Sequence, residues 1–171
     1  MFLMRNAERT PHAIWEALQA GNRRFMNFEE TRPNQDHRRR VELTAGQEPC
    51  AVVLACSDSR VPVEMIFDQG LGDIFVIRTA GEIIDLAVLG SLEYAVQGLH
   101  VPLIVVLGHE SCGAVAATQA ALDGHEIPGG FQRVLIEKVS PSILEARAMG
   151  KSTTEEFEAH HVAETVDQIM S

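Results

Sequence analysis

The chain predicts an α/β fold, with a central, mostly parallel β-sheet flanked by helices and preceded by an N-terminal helical arm. Three features support this. Short runs of β-branched and aliphatic residues alternate with stretches at helical spacing. The runs are apolar on both faces, as strands covered by helices on each side must be. The 171 residues, 46% hydrophobic and 22% charged, suffice for one domain with its own core.

The elements follow in order. Thr10 predicts an N-cap and Pro11 the first helical position. Ile14, Trp15, Leu18 and Phe25 then fall near one face of that helix. The polar stretch from Asn27 to Gly46 reads as loop, with a short helix over 37–43. Residues 51–56 form a strand buried on both faces, 63–68 a short helix, 70–73 a turn and 74–78 a second strand. Ile84, Ala87, Val88, Leu92, Ala95 and Leu99 place a helix over 84–99. A third strand covers 103–108, and a helix of small residues covers 112–122. After Gly124 the pattern is helical, over 131–149 and 153–170, and no fourth strand is evident. The second of these helices is amphipathic, with His160 and His161 expected on its solvated face. The organisation is one domain over 1–171, made of a helical arm (1–46), an α/β core (47–124) and C-terminal helices (125–171).

Bulk properties exclude several classes. A net charge of −10 argues against nucleic acid, whose phosphates require a basic surface. The short cluster Arg38-Arg39-Arg40 reads as a solvated loop or an intersubunit contact. No apolar run approaches the ~20 residues needed to span a bilayer, so no membrane association is expected. The start, Met1 to Arg5, has neither an apolar core segment nor a cleavage site, so no signal peptide is expected. Cys50, Cys56 and Cys112 are odd in number and their spacing is not that of a disulfide framework, which fits the reducing cytoplasm.

Two segments carry chemistry: Cys56-Ser-Asp58-Ser-Arg60 and His109-Glu-Ser-Cys112. Each begins where an expected strand ends. In open α/β sheets ligands gather at that edge, where strand order reverses. If the first and third strands are neighbours, the two segments meet. They then offer two thiolates and one imidazole, which is three of the four ligands tetrahedral zinc takes. The fourth position belongs either to water or to the Asp58 carboxylate. Zinc lowers the pKa of a bound water toward neutrality. Two anionic sulfurs weaken that effect, so a hydrogen-bond acceptor such as Asp58 helps. Arg60 can grip Asp58 with a fork of donors, keeping it ionised and off the metal.

Taken singly these residues have plainer explanations. Cys56 suits a small core residue, His109 a helix cap, and Asp58 with Arg60 an ordinary ion pair. Packing does not call for all of them together at the strand ends of one sheet. Cys50 lies at the other end of its strand and is structural. His12, His37, His100 and His125 lack ligand partners at useful spacing, and Gly70, Gly72 and Gly81 form turns, not a phosphate-cradling loop.

At these residues the chain resembles the β-class carbonic anhydrases, most closely their actinobacterial members. Ala55-Cys-Ser-Asp-Ser-Arg-Val61 and Gly108-His-Glu-Ser-Cys-Gly-Ala114 are similar to the two family signatures. Gly72 to Gly81 and Gly90 to Ala95 also follow the family pattern. The resemblance implies a lyase that interconverts carbon dioxide and bicarbonate. It implies zinc on Cys56, His109 and Cys112, with Asp58 and Arg60 as the catalytic dyad. It further implies a homodimer or homotetramer with the pocket at the subunit interface. The pocket positions would be Gln47, Phe75, Ala80, Tyr94 and Gly113, with Gln47 reaching substrate across that interface. A regulatory bicarbonate site found in some members requires a Trp where this chain has Val53, so none is expected, although Arg78 is present.

Family members usually continue with one or two further strands, so the sheet is expected to be short of its C-terminal strand region. Two other functions fit the same residues. One is hydrolysis of carbon disulfide or carbonyl sulfide at the same zinc site. The other is a truncated zinc-binding paralogue serving as an interaction module.

Overall fold

The computed structural model describes residues 9–171; the expectation about a signal peptide lies outside these residues. In chain order the elements are α1 (Pro11–Met26), α2 (His37–Glu42), β1 (Ala51–Cys56), α3 (Val63–Ile66), β2 (Ile74–Thr79), α4 (Leu86–Glu93), β3 (Ile104–Leu107), α5 (Gly113–Leu122), α6 (Arg133–Ala148) and α7 (Thr154–Met170). The three strands are ordered β2-β1-β3. Cys50 N–H bonds to Asp73 O and Ser57 N–H to Thr79 O, so partner numbers rise together and the pairing is parallel. β1 is buried at every residue, as a strand covered on both faces must be. The chain passes to one side of β1 and then to the other, which places the topological switch point at its carboxyl end.

The described chain forms two compact units, and each strand runs from the first into the second. The first holds the residues up to Val53 with Val61–Ile77 and Gly90–Val105. There the Thr10 hydroxyl caps α1 by accepting Ala13 N–H at 3.2 Å. Ile14, Leu18 and Gly21 make the buried stripe of α1, at spacings of four and three. Trp15, expected on that face, is exposed, because one residue past Ile14 turns it about 100° round the helix. Asp68 is the polar hub of this unit. Its carboxylate accepts from Arg24 Nε (2.6 Å), Thr31 N–H and hydroxyl, and Arg32 N–H.

The arginine cluster departs from expectation at one position, while Arg38 and Arg40 are exposed as expected. It lies on α2, and Arg39 turns inward to bond Leu71 O at 2.9 Å and to pair with Asp73. A guanidinium has enough donors to serve both partners at once.

The second unit holds Leu54–Arg60, Arg78–Leu89 and Val106–Ser171. Its core joins Cys56, Ile83, Cys112, Ala114, Val115, Val139, Ile143, Ala146 and Phe157. Phe157 alone, fully buried, contributes about 2–3 kcal/mol by leaving water. A capping box starts α7: Thr153 Oγ1 accepts Glu156 N–H, and the Glu156 carboxylate accepts Thr153 N–H. His160 and His161 are not solvated as expected; they are 7% and 3% exposed. Phe157, His161 and Thr165 recur every four residues on the buried face. Both imidazoles find partners there, so their burial leaves no ring nitrogen unsatisfied.

The helix expected over 84–99 begins at Leu86, because the Asp85 carboxylate accepts Val88 N–H and ends the preceding chain. It passes into a π-helical turn over Tyr94–Gly98, closed by Leu99 N–H on Tyr94 O at 3.1 Å. Among the described residues no helix is long and apolar enough to cross a membrane.

Candidate metal centre

Three side chains of the second unit converge at the carboxyl ends of β1 and β3. The thiol of Cys56, an imidazole nitrogen of His109 and the thiol of Cys112 all lie within 4.8 Å of one another. The two sulfurs are 4.0 Å apart. Cys56 is the last residue of β1, His109 follows β3 by two residues, and Cys112 is the N-cap of α5. A left-handed turn at Ser111 (φ +58°) swings the chain from His109 to Cys112 within three residues.

The donor set fits a divalent cation. His109 Nδ1 lies 2.8 Å from the Glu110 carbonyl, which can only accept, so Nδ1 carries the hydrogen. Nε2 is then a bare lone pair, and it is buried without any hydrogen-bond partner. Such an atom costs free energy unless something binds it. The thiols are poised in the same sense. Cys56 is held down, first by the hydrogen bond from Cys112, with the Gly81 N–H at 3.3 Å from Sγ adding to it. Cys112 is pushed up, first because its thiol proton is held in the hydrogen bond to the Cys56 sulfur and then because burial penalises a second thiolate there. A cation held by these residues would remove that penalty and take both as thiolates.

Beside this group stands a charged pair. Arg60 bonds Asp58 twice through its side chain, Nε to Oδ1 at 2.9 Å and the terminal nitrogen to Oδ2 at 2.7 Å. Its amide also bonds Oδ1, and its guanidinium reaches Ser111 O at 2.9 Å. The Arg60 guanidinium holds the Asp58 carboxyl well below the usual carboxylate range. Asp58 is therefore engaged by Arg60 and is not one of the converging ligand atoms. Arg78 fixes the loop from below, donating to Cys56 O and Asp58 O.

A second group, Glu145, His160 and Glu164, also brings possible ligand atoms within 4.8 Å. Its imidazole has both nitrogens engaged, Nε2 with Glu145 and Nδ1 with the Lys151 ammonium at 3.1 Å. That is an ion-pair network, and it lacks the bare nitrogen that marks His109.

The family model described as carbonic anhydrase matches residues 51–171. A carbonic anhydrase of Mycolicibacterium smegmatis is 59% identical over 93% of this chain and 77% of its own length. The chain belongs to the β-class carbonic anhydrase family. Carbonic anhydrase 2 of Mycobacterium tuberculosis is 55% identical over 94% of the chain and 78% of its own length. The β-carbonic anhydrase CcaA superposes with a TM-score of 0.63 at 26% identity, over 92% of this chain and 72% of that one. A tetrameric β-carbonic anhydrase of Sordaria macrospora shares the fold, with a TM-score of 0.61 at 24% identity over 86% and 75% of the two chains.

The remaining positions expected for a carbonic anhydrase pocket divide between the units. Ala80, half-buried, and Gly113, exposed, belong to the unit with the metal group. Gln47, Phe75 and Tyr94 belong to the other, where the Phe75 and Tyr94 rings meet with centroids 6.1 Å apart. Sequence reasoning missed Glu82, Glu158 and His161, all buried in the second unit. Burial pushes the Glu82 carboxyl up to about 7, and the Cys56 sulfur adds to this. One signal was available for His161: it lies four residues after Phe157 and so shares a helix face with a large aromatic.

Proposed function

We propose that this chain catalyses the reversible hydration of carbon dioxide to bicarbonate and a proton, with zinc held by Cys56, His109 and Cys112. The bare, buried Nε2 of His109 beside two thiols carries this reading. Two sulfurs and one imidazole suit zinc's borderline softness and leave a vertex of its tetrahedron for chemistry. When bound, zinc supplies the Lewis acidity that makes water a nucleophile near neutral pH.

The chain's own residues do the rest. Asp58, kept ionised by Arg60, accepts a hydrogen bond from the attacking water and fixes its orientation. Arg60 also bonds Ser111 O, tying the dyad to the turn that carries Cys112. Ala80 and Gly113 give the substrate small, unobstructed neighbours; a Cβ built at Gly113 meets nothing within 4 Å. Gln47 gives a hydrogen bond to substrate across a subunit interface, and buffer takes up the released proton. The working form is a homodimer or homotetramer in the cytoplasm.

Stopped-flow carbon dioxide hydration, with metal analysis on the same sample, tests this. Zinc near one per chain together with hydration well above the buffer rate is expected. Stoichiometric zinc with no hydration rejects the proposal in favour of a binding module, or of a sulfur-analogue hydrolase if carbon disulfide or carbonyl sulfide is consumed.

A further inference from the structure

Among the polar groups that helix α7 buries, two reach toward the metal group, and the proposed reaction uses neither. Glu158 accepts the amide N–H of Cys112 on Oε1 at 2.7 Å. His161, three residues on, places Nε2 at 2.8 Å from Gly81 O and Nδ1 at 2.9 Å from Ser142 Oγ. A carbonyl only accepts, so Nε2 carries the hydrogen and Nδ1 takes the hydroxyl of Ser142. His161 thereby pins Gly81, the residue whose own N–H points at Cys56 Sγ. Gly81 sits at φ +68°, and a Cβ there would come within 2.7 Å of the Ala114 Cβ, so no other residue fits this position unstrained. One helix thus reaches both sulfur ligands at one remove, Cys112 through its amide and Cys56 through Gly81. Burying a carboxylate and an imidazole is unfavourable unless each is paired, and both pairings end at the metal group.

We propose that Glu158 and His161 are positioning residues for the two thiolates: His161 aims the Gly81 N–H at the Cys56 sulfur, and Glu158 sets Cys112 at the start of α5. This rests on the metal-centre reading above. A hydrogen bond to a ligating sulfur withdraws electron density from it, so the metal's electronic environment changes when that donor is misplaced.

The full chain loaded with Co(II) in place of zinc tests this through its near-ultraviolet thiolate-to-cobalt band and through chelator competition. Wild type is expected to show the band. His161→Phe keeps the bulk but loses the donor; its band shifts and its Co(II) affinity falls about tenfold or more, the usual effect of losing a partner behind a ligand. His161→Gln can still donate to Gly81 O and returns both readings toward wild type, whereas His161→Asn is too short and does not. If His161→Phe fails to fold, the contrast between the Gln and Asn variants decides, and equal readings overturn the proposal. A band and affinity unchanged in His161→Phe overturn it while leaving the metal centre intact. An unshifted band in Glu158→Leu overturns the part assigned to Glu158. A wild-type chain with no thiolate-to-cobalt band removes the metal centre itself, and this inference with it.

Discussion

Arg60 closes on Asp58 in a two-pronged grip, with Nε and a terminal guanidinium nitrogen each on a different carboxylate oxygen. The residues are only two apart, and the Arg60 amide adds a third bond, so the chain itself brings them together. A carboxylate held this way stays anionic and points in one direction.

The Asp58→Asn variant is therefore expected to keep its zinc and lose turnover by roughly 100-fold or more, the usual scale of a lost proton acceptor. Metal analysis with stopped-flow hydration checks this. Turnover equal to wild type removes Asp58 from the mechanism.

Cys112→Ser tests the ligand set directly. A serine hydroxyl is a poor zinc ligand at neutral pH compared with a thiolate, so the variant should emerge from dialysis against a mild chelator without metal while wild type retains it. Full zinc occupancy in the variant rejects Cys112 as a ligand.

Gly81→Ala should be costly. The left-handed backbone disfavours any Cβ, and this one collides with Ala114, which together give about 3 kcal/mol of destabilisation. Urea unfolding measures the loss, and a change below about 1 kcal/mol would show that the site relaxes freely.

Asp68 gives a pH dependence. Burial pushes its carboxyl up, but the Thr31 N–H, the Arg24 guanidinium, the Arg32 N–H and the Thr31 hydroxyl outweigh burial and hold it at about 2, below the ordinary 3.8. A depressed carboxyl stabilises the fold above its unfolded value, and that contribution is lost as pH falls toward 2. Asp68→Asn is expected to lower stability by about 2 kcal/mol at pH 7, typical of bonds to a charged group. The gap to wild type should narrow steadily below pH 4. Urea titrations of both proteins at pH 7, 5 and 3 would show it, and a gap independent of pH would falsify the assignment.

The sheet was legible because its strands are unbroken aliphatic runs ended by turns: β1 spans the residues expected, and β2 and β3 differ only at their ends. The ligands were legible because both motifs start where those runs stop. What escaped was tertiary. Trp15 and Leu18 look alike in a periodic pattern, and only the packed neighbours reveal which is covered. His160 and His161 looked like solvated groups because charge and polarity dominate a single-sequence reading, while their partners lie far away, at Gly81, Ser142 and Glu145. Arg39 escaped for the same reason, its partners Leu71 and Asp73 lying more than thirty residues on.

Arg78 donates to the carbonyls of Cys56 and Asp58 from within β2. The loop that presents a sulfur and the carboxylate is therefore tied to the neighbouring strand through its own backbone. Loss of that one side chain would unsettle a sulfur ligand and the carboxylate together, although it touches neither the thiol nor the carboxylate group itself.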